Sequence, residues 1–368
     1  MNTNKNSMGN SIYSVITGTG SYIPPKRIKN EDFITNKFYD AEGNRLEKSN
    51  EDIIDQFKDI STISERRYVS DDLITSDIAY FAALEAIKSA NINKEDLDYI
   101  IVAHNFGDVR NENKRIDLVP TIAARVKYKL AIQNENTVAY DLPFGCPGWI
   151  QAVIQSNYYI KSGDAKKILV IGADVLSRVS DPHDRDSMLY ADGAGAVVLE
   201  AQSSSEPIGI LAHKTQSDTY SFSKMLYMDK SNKTDKANQD NIFLKMNGRK
   251  LYQYAIEKVP ISIKACLDKS NTHIREVNKV LIHQANGKMD DAILKRLYSL
   301  YGIKDAGENI MPMTISWLGN SSVATVPTLL DLIMKNKLKP HSINKRDILV
   351  FASVGAGMNI NSIVYKMQ

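Results

Sequence analysis

The sequence predicts an α/β protein built from two duplicated halves, and two observations predict it. The first is that segments with apolar residues at helical spacing feed short runs that are apolar throughout, the pattern of strands buried between helices in a parallel sheet. The second is an internal repeat. Asp98-Tyr99-Ile100-Ile101-Val102-Ala103-His104 resembles Asn278-Lys279-Val280-Leu281-Ile282-His283, Gly145-Cys146 ahead of a helix resembles Gly319-Asn320, and Ile168-Leu169-Val170 recurs as Ile348-Leu349-Val350. The separations are 179, 174 and 180 positions, in the same order. We therefore expect halves over 12–203 and 204–368, with equivalent helix starts meeting at their interface, so that Cys146 faces Asn320 there.

The elements follow in order. Residues 1–11 are polar and expected to be disordered. Ser14-Val15-Ile16-Thr17 reads as a strand entering a turn at Gly18-Thr19-Gly20. The two glycines invite a dinucleotide-loop reading, which is weak, because a third glycine is absent and Pro24-Pro25 would interrupt the helix that such a loop needs. Residues 32–57, charged around Asp40-Ala41-Glu42-Gly43-Asn44, read as an inserted loop. Ile78, Ala82, Ala83, Ala86 and Ile87 mark a helix over 76–90, with a buried strand over 99–103 and a helix over 120–130 beyond it. A strand ends at Tyr140. From Ile150 the residues Val153, Ile154 and Tyr158 carry a helix to Gly163. Further buried strands are expected over 167–172 and 192–199, and Gln202-Ser203-Ser204-Ser205 reads as the seam between the halves.

Composition narrows the function. A net charge of +3 with 24% charged residues of both signs gives no field that would argue for nucleic acid. Two cysteines in 368 residues make no disulfide framework and point to a reducing, cytoplasmic setting. The polar start lacks the apolar centre of a signal peptide, and no apolar run is long enough to span a bilayer. No metal or cofactor is expected.

The chemistry centres on Cys146. It lies between a strand and a helix, and the unpaired N–H groups of the helix's first turn favour a thiolate there. Read alone, it is equally a small buried hydrophobe, as Cys266 in the helical run 251–267 is expected to be. His283 ends a strand, and of the other five histidines only His104 shares its repeated position. Asn320 could by itself be an N-cap. Val354-Gly355-Ala356-Gly357 follows a buried strand and is either a tight turn or a place where backbone N–H groups approach a substrate oxygen. Cysteine, histidine and asparagine together suffice for acyl transfer if the thiolate takes the acyl group and the others hold a developing enolate.

Phe144-Gly145-Cys146-Pro147-Gly148, Asp181-Pro182-His183-Asp184-Arg185, Asp192-Gly193-Ala194-Gly195-Ala196, His283-Gln284-Ala285-Asn286 and Gly319-Asn320-Ser321-Ser322 resemble, in order, the motifs of the 3-oxoacyl-[acyl-carrier-protein] synthase III family. The resemblance runs from Gly18 to the last strand. It implies the thiolase fold, a five-layered α/β/α/β/α pair of related halves that usually dimerises. It also implies that Cys146 accepts the acyl group while His283 and Asn320 hold the thioester carbonyl of a second substrate. The backbone N–H groups of Cys146 and Ala356 match the family's oxyanion hole, although glycine is usual at position 356. Lys288, Lys295 and Arg296 match positions that present positive charge to an acidic acyl-carrier protein, and a solvated helix face is the plainer reading of them.

Two departures concern the substrate. The family's usual initiator grips the nucleotide of coenzyme A with a Trp and an Arg, whereas this chain has the longer segment 38–57 without Trp. Val119, before Pro120, stands where that enzyme often has a pocket-closing Phe, which implies a wider acyl pocket. Both features resemble the divergent branch that condenses longer acyl or 3-oxoacyl thioesters in secondary metabolism, including ketosynthases of dialkylresorcinol precursors. The rival readings are a housekeeping initiator using malonyl-carrier protein, an acyltransferase to a hydroxyl or amine, a cysteine hydrolase and a non-catalytic partner subunit.

Overall fold

The apolar runs become the strands of two sheets, described for residues 10–234 and 241–368 in a computed structural model. Strands β1 (Ser11–Tyr22), β2 (Tyr99–His104), β3 (Val138–Pro143), β4 (Lys167–Val175) and β5 (Asp192–Ser204) form the first sheet in the order β1-β5-β4-β2-β3. Beyond it come β6 (Gly209–Ser217), a separate hairpin of β7 (Leu226–Lys230) and β8 (Ile242–Met246), then β9 (Val277–Ile282), β10 (Ile348–Gly355) and β11 (Asn359–Lys366). The second sheet has the order β6-β11-β10-β9, so each of its strands has a counterpart at the same place in the first. The repeated sequence segments are β2 with β9 and β4 with β10. Only β3 lacks a paired counterpart among the described residues, although the Val280 N–H does reach the Ile310 carbonyl beside β9.

Seven helices of eight or more residues cover these sheets among the described residues: α1 (Asn50–Ser61), α2 (Thr75–Ala90), α3 (Ile122–Lys129), α4 (Gly148–Ser162), α5 (Gly248–Lys269), α6 (Gly287–Ser299) and α7 (Thr325–Met334). Strand alternation decides which layer each helix meets. Ile101 and Ala103 of β2 face inward with α4 and α7, whereas Ile100 and Val102 face outward with α2 and α3. α5 and α6 pack on the outer face of the second sheet. The result is the five-layered α/β/α/β/α arrangement, with α4 and α7 between the sheets. Trp149 of α4 meets Phe351 of β10 edge to face, centroids 6.0 Å apart, and burying such a ring contributes about 1.5–3 kcal/mol. Cys266 is a fully buried residue of the outer core, as expected.

Several sequence expectations change. The sheets are mixed rather than parallel. β4 and β5 run antiparallel because the chain between them makes only single-turn 3-10 helices and no crossover helix. Gly18 and Gly20 are not a turn but lie inside β1, where a Cβ would overlap the backbone of α2 at Ala86 and at Ala82, so these glycines serve helix-on-sheet packing and the dinucleotide reading falls. The supposed loop over 32–57 contains most of α1, started by Ser49, whose side chain accepts the Asp52 N–H. The serine seam belongs to β5 as far as Ser204, which pairs with Ser11, and the turn to β6 comes after it. Of the expected disordered start, residues 1–9 lie outside the described residues and Ser11 opens β1. Among the described residues, no helix is long and apolar enough to cross a membrane.

Candidate active site

Three separate stretches of backbone converge between the sheets. β3 leads into Gly145, which has φ +70°, and Pro147 then starts α4, so Cys146 is held on a sharp turn at the helix mouth. His283 follows β9 directly, and its N–H continues the sheet by donating to the Ala352 carbonyl at 2.9 Å. Asn320 is held between strand-like residues, its N–H donating to Leu189 and its carbonyl accepting the Ala191 N–H. Cys146, His283 and Asn320 all line one chamber of about 220 Å³.

The backbone near the sulfur is closely fitted. A Cβ on Gly355 would sit 2.6 Å from the Cys146 nitrogen, and one on Gly145 would sit 2.9 Å from the Ala356 nitrogen. Glycine at both crossing points is what lets the backbone at Cys146 and the backbone at Ala356 approach so closely. The side chain at 356 is free to be Ala because the approach is made by its nitrogen.

Electrostatics assign protons. Burial pushes His283 down to about 4, so it is neutral at pH 7, and its Nδ1 has no hydrogen-bond partner among the described residues. Asn320 Oδ1 accepts the Ser322 N–H at 2.9 Å, which turns its amide NH₂ away from that contact and leaves it to donate. Burial pushes the Cys146 thiol up to about 11; the Ser322 hydroxyl, donating at 3.3 Å, lowers it and the nearby Asp174 carboxylate raises it. Burial thus works against the thiolate that the helix mouth favours.

Sequence reasoning missed the groups that act through these residues. Ser322 touches both Cys146 and Asn320, and its hydroxyl in turn accepts from Asn105 Nδ2 at 2.9 Å. Asn105 is anchored by two hydrogen bonds to Asp174, a carboxyl that burial raises to about 6. The signal for Ser322 was present in Asn320-Ser321-Ser322, but its partner lies 176 positions away. His104, the repeat of His283, is a satisfied core residue, with Nε2 against Asp141 at 3.0 Å and Nδ1 accepting the Gly107 N–H.

The chamber shares walls at Met246, Leu251, Ala285, Met289 and Asn320 with a larger cavity of about 540 Å³. Ile53, Gln56 and Phe57 of α1 form one side of that outer cavity, a wall that the inserted-loop reading hid. The β7–β8 hairpin roofs the inner chamber with Leu226, Met228 and Leu244. It is fastened by Lys245, which is 6% exposed and bonds Asp181 at 2.5 Å, Asp184 at 3.2 Å and Asn232 at 2.6 Å. Lys288, Lys295 and Arg296 are exposed along α6, which begins beside the outer cavity at Asn286 and Met289. Val119 is not brought to the site. It is 86% exposed and lines neither cavity, because the loop carrying it turns outward past Leu118.

Comparison with known proteins gives the family. Residues 140–219 match the family described as 3-oxoacyl-[acyl-carrier-protein (ACP)] synthase III, and residues 267–367 match its C-terminal region. The chain is 31% identical over 352 residues to a beta-ketoacyl-[acyl-carrier-protein] synthase III of Staphylococcus aureus (strain Newman), which spans 95% of this chain and 98% of that one. The crystal structure of a synthase III from Thermus thermophilus superposes with a TM-score of 0.78 at 27% identity, over 96% and 99% of the two chains. The priming beta-ketosynthase of the R1128 polyketide biosynthetic pathway shares the fold, with a TM-score of 0.78 at 22% identity over 98% and 97%. With the fold, the motifs and near-complete coverage in agreement, this chain belongs to the 3-oxoacyl-[acyl-carrier-protein] synthase III family of condensing enzymes.

Proposed function

We propose that the protein joins an acyl group held on Cys146 to a second acyl or 3-oxoacyl thioester by Claisen-type condensation, in fatty-acid-like or secondary-metabolite synthesis of the dialkylresorcinol-precursor kind. The observation that carries this reading is the meeting of Cys146, His283 and Asn320, from three distant stretches, in one apolar chamber that adjoins a larger cavity.

In the first half-reaction the Cys146 sulfur attacks the donor carbonyl, the donor's C–S bond breaks, and the released thiol leaves with the proton. The oxyanion that forms lies against the Cys146 and Ala356 N–H groups. In the second, neutral His283 and the Asn320 amide donate to the carbonyl of the incoming thioester as its α-carbon gives up a proton or a carboxyl group, the latter as CO₂, and it becomes an enolate. Its carbon attacks acyl-Cys146, the new C–C bond forms and the cysteine sulfur departs, taking up that proton or one from water. A neutral imidazole suits this role because it donates without bringing a charge into the chamber.

Donors are carried by acyl-carrier protein or coenzyme A, and the exposed cations of α6 beside the outer cavity favour an acidic carrier. The working unit is a homodimer in the cytoplasm. β3 is the outer strand of its sheet, and Leu118 and Val119 expose apolar surface nearby, so Val119 would meet an acyl chain only across such a contact. The halves 12–203 and 204–368 contribute Cys146 and the His283–Asn320 pair respectively.

The test is intact-protein mass spectrometry with acyl-carrier and acyl-CoA donors. Cys146→Ala should abolish the acyl adduct, and Cys266→Ala should retain it. His283→Ala and Asn320→Ala should still acylate yet lose condensation by on the order of a hundredfold. An adduct on Cys266, or folded His283 and Asn320 variants that fail to acylate, would overturn the assignment.

A further inference from the structure

One carboxylate in the outer cavity has no partner among the described residues. Asp186 is the single acidic residue of that lining, half-buried, in a wall otherwise supplied largely by Ile53, Phe57, Leu189, Met246 and Leu251. Its carboxylate oxygens make no hydrogen bond or ion pair among the described residues, although they are not sealed from solvent. A Cβ placed on Gly248, the first residue of α5 and itself part of the cavity wall, would stand 3.9 Å from Asp186 Oδ2, so that oxygen lies at the wall. A carboxylate drawn partly out of water without a donor is unfavourable, and a donor that enters the cavity offsets the cost.

Asp186 is also firmly placed. It stands on the short 3-10 helix Arg185–Leu189, where the Asp184 side chain accepts the Asp186 N–H at 3.0 Å. Leu189, which ends that helix, accepts the Asn320 N–H at 2.9 Å. One short piece of backbone therefore carries the carboxylate and is bonded to the residue that faces the reacting carbonyl. Burial and the Asp184 carboxylate push Asp186 up to about 6, against Arg185 and Lys245, so at pH 7 it is ionised and only accepts.

In the condensing reading the thioester carbonyl reacts in the inner chamber, so the arm behind its sulfur lies in the adjoining outer cavity. Whether the carrier is a protein or coenzyme A, that arm is pantetheine, whose amide N–H groups lose water on entering an apolar cavity. Asn286 Oδ1 already accepts the Met289 N–H and Asn320 Oδ1 the Ser322 N–H, which leaves the Asp186 carboxylate as the charged acceptor in the lining. We propose that Asp186 accepts a hydrogen bond from an amide N–H of the pantetheine arm and thereby binds the incoming thioester. The inference rests on the condensing reading above and adds to it a residue that recognises the carrier's arm. The arm is remote from the bonds that change, so the contact serves binding rather than the chemical step.

The experiment measures acylation of Cys146, read by intact mass, against the concentration of octanoyl pantetheine and of the same thioester methylated at its amide nitrogens. Wild type, Asp186→Asn and Asp186→Ala are compared. The wild type should half-saturate with the N–H thioester at about tenfold to a hundredfold lower concentration, the range of one hydrogen bond to a charged acceptor, at a similar limiting rate. Asp186→Ala should bring the ratio to about one by weakening the N–H thioester alone, and Asp186→Asn, which keeps a neutral acceptor, should lie between. Equal half-saturation of the two thioesters in the wild type would overturn the proposal while leaving condensation intact. So would a ratio that survives in Asp186→Ala, since the methyl groups alone would then hinder entry, or a loss in that variant equal for both thioesters. Absence of any acyl adduct on wild-type Cys146 is a different result, in which the condensing reading itself fails and this proposal falls with it.

Discussion

Removing the Ser322 hydroxyl should slow the nucleophile while leaving Asn320 in place, with Asn105 Nδ2 keeping its bond to Asp174. Ser322 Oγ donates to the Cys146 sulfur at 3.3 Å and is one of the influences that lower a thiol otherwise pushed up to about 11 by burial. Hydrogen bonds to charged acceptors contribute about 1.5–3 kcal/mol, and each 1.36 kcal/mol is one pKa unit, so Ser322→Ala should raise the thiol by roughly one to two units. At fixed pH the thiolate fraction then falls by about tenfold to a hundredfold. Asn320 should be unaffected, since it is held by the Ser322 backbone N–H, and Ala accepts the local φ of 53° about as well as Ser does. The assay is the rate of Cys146 alkylation by iodoacetamide between pH 6 and pH 9, followed by intact mass, with acylation measured alongside. The wild-type rate should climb with pH across this whole window, and the variant should run parallel to it, about tenfold or more below. Superimposable profiles would show that the hydroxyl does not act on the sulfur.

Two other outcomes follow from buried and exposed charge. Asp290 of α6 is fully buried; burial and the adjacent Asp291 hold its carboxyl well above the ordinary value, against a weaker downward pull from the Ala285 and Asn286 N–H groups, neither of which makes a well-aligned hydrogen bond to it. An unfolded carboxyl titrates near about 3.9, so as pH rises above that value the unfolded chain releases a proton that the folded one retains, and stability is lost. Asp290→Asn should therefore gain about 1–3 kcal/mol over wild type at pH 7 and less at pH 5, read from urea midpoints, whereas a pH-independent difference would contradict the burial argument. Replacing Lys288, Lys295 and Arg296 with Glu should lower the rate with carrier-borne donor, relative to a small pantetheine thioester, by on the order of tenfold and weaken its salt dependence; equal losses with both would remove α6 as the docking face.

The parts of the fold that sequence conveyed are those set by local periodicity. Ile100, Ile101, Val102 and Ala103 read as a strand because alternate residues meet two different apolar layers, and the 174–180 residue repeat located Cys146, His283 and Asn320 because related folds place related turns together. What escaped depended on distant partners. α1 was hidden because Ile53, Ile54 and Phe57 are set among charged residues, although Ser49 before Asp52 is a start signal that could have been weighed. The upward push on the Cys146 thiol escaped because the helix mouth is local while the walls around it come from β7, β8 and α5. Gly18 and Gly20 were read as a turn when their constraint is the backbone of α2 lying across them.

The crossing of Gly145 and Gly355 bears on how the nucleophile survives its own synthesis. Cys146 emerges from the ribosome long before residues 348–358, so until β10 docks it has neither the Ala356 N–H at its side nor a closed chamber around it. In that interval it is an ordinary cysteine, titrating near about 8.5 and open to oxidants. Completion of the second sheet then moves the same sulfur up to about 11 and keeps it protonated. Docking of the second sheet thus sets the protonation of a sulfur made about 200 residues earlier in the chain.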